Sequence, residues 1–170
     1  LVWKNLLMHP VNGLFAYISR SLGLPVIDWF TNLPLFSIGI IVAWQWIPFS
    51  TLVLLTSLQS LDREQMEAAR MDGARSFKLF RFIVLPHLYR ALTICAMIQT
   101  IFLLSIFAEI LVTTSGGPGD ASTTLPYLIY KIALLDWNVG GASAGGVIAI
   151  ILANVVAFFL VKTIAHTLDR

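Results

Sequence analysis

The chain reads as an all-α membrane protein: three transmembrane helices, an outer interfacial helix, and a charged helical loop between the first two spans. Composition points there first. Of its 170 residues, 58% are hydrophobic and 12% charged, with a mean hydropathy of +0.84, whereas soluble domains carry roughly 25% charged residues. The apolar residues also gather into three runs of about 25 residues, the length that crosses a bilayer with some tilt. Finally, the basic residues cluster on alternate connections, as they do in multi-pass proteins.

The elements follow in order. Residues 1–34 are mixed. Leu14 to Leu22 is weakly amphipathic, Gly23 and Pro25 end it, and Trp29 and Phe30 follow. This predicts an outer interfacial helix and turn with aromatics at headgroup level. Spans are expected at 35–58, 88–113 and 140–164, separated by a loop at 59–87 and an outer loop at 114–139. Without repeat or low-complexity tract, residues 1–170 form a single membrane domain. The opening Leu1-Val2-Trp3-Lys4, with no initiator Met, marks it as an expected piece of a longer protein.

Eight of the eleven Lys and Arg residues fall in the 59–90 segment or near the C-terminus. The positive-inside rule therefore puts that loop and the C-terminus in the cytoplasm. A net charge of +2 without a basic, aromatic-interleaved patch argues against nucleic-acid binding. Cys95 stands alone, so no internal disulfide forms. His9, His87 and His166 are too scattered for a metal cluster.

The charged loop is the densest feature. Asp62 is a good N-cap with Gln65 in capping-box position, and the helix it starts runs through Glu67, Ala68, Ala69 and Arg70. Gly73 can close it in the left-handed conformation. A second short helix, about Ser76 to Phe82, alternates Phe77, Leu79, Phe80 and Phe82 with Lys78 and Arg81, and Pro86 is expected to break it before the next span. Aromatics on a wet segment usually mark a partner.

Glu67-Ala68-Ala69, three residues, Gly73, nine residues, then Ile83-Val84-Leu85-Pro86 resembles the signature loop of the membrane subunits of bacterial ATP-binding-cassette importers, and Asp72-Gly73-Ala74 matches its fuller form. The resemblance implies the C-terminal part of a type I importer permease bundle in the bacterial inner membrane. By that likeness, Glu67 would bond a basic residue of a cytoplasmic ATPase. Ala68 and Ala69 would permit close docking, Gly73 would set the angle, and Ile83, Leu85 and Pro86 would anchor the second span. A second permease subunit and an external solute-binding protein are the other implied partners, with the lipid bilayer around them. ATP-Mg would bind the ATPase, not this chain, which is then no enzyme. Trp44, Pro48-Phe49, Gly116-Gly117-Pro118 and Ala142-Ser143-Ala144 resemble carbohydrate-type members, and Trp46-Ile47-Pro48-Phe49 leans towards the sugar-alcohol (sorbitol or mannitol) branch.

Within the second span, Gln99, Phe102, Ile106 and Glu109 are expected to share one broad side of the helix. A polar pair interleaved with an aromatic suits a carbohydrate pathway; Gln99 alternatively bonds a neighbouring helix. Asn154, at mid-span, is a second candidate contact. Gly141, Gly145, Ala149, Ala153 and Ala157 form a small-residue ladder for close helix packing. A secondary transporter or channel without an ATPase is the alternative function, but it leaves the Glu-Ala-Ala loop unexplained. An intramembrane hydrolase using Ser143 lacks a nearby His.

Overall fold

The computed structural model describes the backbone of residues 1–168 and the side chains of residues 1–162. Arg170, the side chain of His166 and the last side chains of the third expected span lie outside the described residues. All regular structure among the described residues is helical. After a π-type turn at Trp3–Leu7, the helices are α1 (Leu14–Ser21), α2 (Trp29–Asn32), α3 (Pro34–Gln59), α4 (Arg63–Met71), α5 (Ser76–Leu103), α6 (Ala108–Thr113), α7 (Leu125–Leu135) and α8 (Val139–Leu168). Of these, α3, α5 and α8 are long and apolar enough to cross a membrane. The chain forms two compact units, Leu1–Gln45 with Leu104–Ala153, and Trp46–Leu103 with the segment from Asn154.

In the first unit the chain doubles back tightly before α1. A Cβ on Gly13 would lie 2.4 Å from the His9 carbonyl oxygen, so only glycine fits. Met8 is fully buried there. Asp28 caps α2 by accepting from the Thr31 amide at 3.3 Å and its hydroxyl at 2.8 Å. The buried Ser37 then donates to the Trp29 carbonyl at 2.7 Å, fixing where α3 begins. Edge-on rings of Trp3 and Trp44, 6.0 Å apart, join the opening turn to α3.

The connection after α6 in the same unit is a tight turn. Ser115, Gly116 and Gly119 have positive φ, and the Gly117–Pro118 bond is cis. The buried Ser122 donates to the Gly117 carbonyl, 2.8 Å away, and its Oγ lies 2.7 Å from that of Thr114. A Cβ on Gly116 would fall 2.6 Å from Thr123 Oγ1 and 2.7 Å from Tyr127, at a φ of +84°, while Gly119 is open on every side. Gly116→Val is therefore expected to destabilise the protein by about 3 kcal/mol, joining left-handed strain to overpacking. Gly119→Ala should cost about 1 kcal/mol. Thermal unfolding of the purified protein in detergent compares the two.

Lys131 Nζ donates to Asp120 Oδ1 at 3.0 Å across this turn. The bond, then the amine's charge, holds the Asp120 carboxyl below its ordinary value, and the carboxylate in return holds the Lys131 amine above its own. The depressed acid contributes stability that is lost as pH falls through its folded value. The raised amine contributes stability that is lost as pH rises through its own. Between those limits the pair is constant. Both groups are exposed, so that contribution is small and Asp120→Asn should lower the melting temperature at neutral pH only slightly.

The second unit departs from expectation at both ends of the second span. Its helix begins at Ser76 rather than near Leu88, and it runs through Pro86. One π-type turn over Phe80–Val84, closed by the Leu85 amide on the Phe80 carbonyl, makes room for the proline ring. The helix ends at Leu103, not Thr113. Past the break, Thr124 Oγ1 donates to the Ile106 carbonyl at 2.9 Å, satisfying a group that a continuous helix would have bonded internally.

Candidate functional site

Two features of the second unit carry chemistry. The first is the charged loop. Asp62 caps α4 by accepting from the Glu64 amide at 2.9 Å. At the far end, the Gly73 amide bonds the Arg70 carbonyl and the Ala74 amide bonds the Ala69 carbonyl, 3.0 and 2.9 Å. Gly73 sits at φ +79°. That is the paired Schellman closure, and the left-handed residue it needs is glycine. Asp72 occupies the helix C-cap. Ala69 thus takes part in the closure through its carbonyl.

No residue of α4 is buried, so Glu67, Ala68 and Ala69 stand on an uncovered helix. Beyond the turn, Phe77, Phe80 and Phe82 are exposed by 77, 50 and 73% and Met71 by 89%. Arg70 and Arg75 share with Phe77 and Phe80 the walls of a cavity of about 670 Å3 beneath Ala74. An uncovered apolar rim with guanidinium groups has the chemistry of a protein-docking surface. Ile83, Leu85 and Pro86 lie at the π-turn and the helical segment after it, inside α5.

The second feature is a face shared by α3 and α5. Trp46, Phe49 and Ser50 stand at successive turns of α3. The Trp46 ring lies 5.5 Å from Phe49 and 5.0 Å from Phe102 of α5. Gln99 Nε2 donates to Ser50 Oγ at 2.5 Å, and that hydroxyl in turn donates to the Trp46 carbonyl at 3.0 Å. Pro48, inside α3, has no amide to donate, so the backbone there is short of one bond. The result is a half-buried amide and hydroxyl beside three aromatic rings. Gln99 thus makes the interhelical bond, with its second amide hydrogen and carbonyl in reserve.

Glu109 lies in the first turn of α6, in the first unit, beyond the break at residues 104–107. The shared helix side that linked it to Gln99 and Phe102 is therefore not formed. Asn154 lies midway along α8. In the ladder, a Cβ on Gly145 would come within 3.0 Å of the Ile129 side chain of α7, and one on Gly141 within 3.0 Å of Asn138. Ala149, Ala153 and Ala157 continue along a helix whose apolar window has no buried residue. Trp46, Ser50 and His87 were not singled out from sequence as site residues. The available signal is that positions 46, 50, 53 and 57 form one stripe of α3, and 87, 91, 95, 99 and 102 one stripe of α5.

Comparison with known proteins places this geometry. The profile of the family described as "Binding-protein-dependent transport system inner membrane component" matches residues 5–170. The trehalose/maltose transport system permease protein MalF of Thermococcus litoralis is 36% identical over 152 residues, covering 88% of this chain and 50% of that protein. The probable ABC transporter permease protein y4oQ of Sinorhizobium fredii is 37% identical over 145 residues, covering 85% and 47%. The sn-glycerol-3-phosphate transport system permease protein UgpA of Brucella abortus is 32% identical, covering 86% and 52%. The chain thus spans about half the length of these relatives, all named as permease proteins, which are transport components and not enzymes. A crystal structure of a bacterial ABC transporter involved in the import of alginate superposes with a TM-score of 0.78 at 21% identity, over 95% of this chain and 57% of that one, and so shares its helical fold. The chain belongs to the binding-protein-dependent transport system inner membrane components.

Proposed function

We propose that this chain is the membrane permease part of an ATP-driven importer for a sugar or sugar alcohol. The observation that carries the reading is the uncovered α4 helix, closed at Gly73 and set directly before a membrane-length helix. A cytoplasmic ATP-binding-cassette ATPase would grip it, with Glu67 accepting a charge-assisted bond from a basic residue and Ala68 and Ala69 allowing close approach. ATP-Mg would be held by that ATPase. The inner membrane, with the loop and C-terminus cytoplasmic, is the placement the basic residues support.

The Trp46–Phe49–Phe102 rings beside Gln99 and Ser50 supply an apolar platform with hydrogen-bonding groups at its edge, the chemistry a sugar needs. Relatives named for trehalose/maltose and for glycerol 3-phosphate support a polyhydroxylated solute; within that class we infer the sugar-alcohol branch. A second permease subunit would complete the pathway, and Ala149, Ala153 and Ala157 offer it a close-packing face. An external binding protein would deliver the solute. Asn154 and Glu109 stand as further pathway candidates.

Coupling then means that ATP and solute each favour one of two arrangements of these helices. The test is uptake of labelled trehalose, maltose, glycerol 3-phosphate and sorbitol into proteoliposomes holding the full transporter. Uptake of one of these only when ATP is enclosed with the ATPase supports the reading. Uptake that is indifferent to ATP returns the chain to the secondary transporters.

A further inference from the structure

We infer that His87 is the positioning residue that fastens the two ends of the ATPase-coupling loop together, so that α3 and α5 move as one body when the loop is displaced. The inference rests on the importer reading above and adds to it a residue outside the signature motif. His87 lies in α5 directly after Pro86, half-buried. Its Nε2 is 2.8 Å from the carbonyl oxygen of Ser57, in the last turn of α3, and 3.1 Å from Oγ of Ser60, the residue just after that helix. Ser60 Oγ also donates to that carbonyl at 2.7 Å.

These distances settle the proton. A carbonyl only accepts, so Nε2 must carry hydrogen and donate to Ser57. The Ser60 hydroxyl spends its own hydrogen on the same oxygen and can only receive the weaker second branch from Nε2. Ser57 is among the last four residues of α3, and its carbonyl also accepts from the Ser60 amide at 3.3 Å. The imidazole thus adds a bond from α5 to the C-terminal turn of α3.

The position gives the bond its consequence. The whole loop, with Glu67 and Gly73, lies between Ser60 and His87. Along α5, twelve residues separate His87 from Gln99, about 18 Å, and the Gln99–Ser50 bond joins the same two helices again. Between them, Ala91 and Cys95 lie on the same stripe and are buried. Two polar bonds with small residues between them make α3 and α5 a stitched antiparallel pair. A push at the loop then reaches the Trp46–Gln99 face as a rigid-body movement, provided the lower stitch holds.

The test uses the full-length permease in its assembled complex, reconstituted with ATP inside, and labelled trehalose, maltose, glycerol 3-phosphate and sorbitol offered together. His87→Gln keeps an N–H at about the reach of Nε2; His87→Leu removes it. The expected result is that His87→Leu still co-purifies with the ATPase and hydrolyses ATP at the wild-type basal rate. Its solute carried per ATP should fall about fivefold or more, the low end of site-to-site coupling, and His87→Gln should restore it. If His87→Leu does not accumulate, His87→Asn, polar but one methylene shorter, replaces it in the same comparison. Wild-type yield per ATP in the variant without the donor, or equal loss in Leu and Gln, overturns the clamp. Wild-type uptake without ATP dependence would instead overturn the importer reading.

Discussion

Gly73→Arg is expected to reduce uptake to background while leaving the chain folded in the membrane. The φ of +79° at this position costs an L-residue about 1–2 kcal/mol, yet a Cβ there would meet nothing within 4 Å. The strain alone is too small to unfold a helical bundle. The loss comes instead from a long cationic side chain on a surface that another protein must approach, beside Arg70 and Arg75. Gly73→Asn should keep most activity, because Asn tolerates the left-handed region. Glu67→Lys attacks the same contact by charge. Reversing one member of a desolvated, hydrogen-bonded ion pair typically costs 2–5 kcal/mol, so ATPase co-purification should weaken by about thirtyfold or more. If both variants bind ATPase and transport normally, the docking assignment is wrong.

The second large effect is expected at Trp46. Its ring closes one side of the α3–α5 face against Phe49 and Phe102. Trp46→Ala removes the platform without touching the loop. Uptake at low solute should fall about tenfold, equivalent to about 1.4 kcal/mol, with ATPase binding unchanged. Gln99→Leu removes one donor and leaves Ser50 half-satisfied, so its effect should be about two- to tenfold. A Trp46 variant that loses ATPase instead of solute affinity would show that the aromatic face is structural.

Much of this was legible in the residues. Pro34–Gln59 agrees with the expected 35–58 within a residue at each end, because a long apolar run closed by polar residues has few alternatives. Asp62 and Gly73 bound α4 as their cap chemistry requires. What escaped was non-local. Pro86 looked like a helix breaker, and only the π-turn before it shows how the helix accommodates the ring. The break after Leu103 contains neither Gly nor Pro, and the Ile106 carbonyl it frees is bonded by Thr124, distant in sequence. That break removed Glu109 from the side it had shared with Gln99. Ser50 and His87 acquire their roles from partners on another helix, so composition at their own positions could not announce them.

The central claim is that α4 is the surface an ATPase grips. Cross-linking from Ala68→Cys in a Cys95→Ala background, in native membranes with the whole transporter expressed, tests it most directly. The expected result is a single adduct with the ATPase, formed in good yield and changed by ATP, and none from Asp120→Cys in the turn between α6 and α7. An Ala68→Cys chain that never reaches the ATPase, or an adduct formed equally well from position 120, would contradict it.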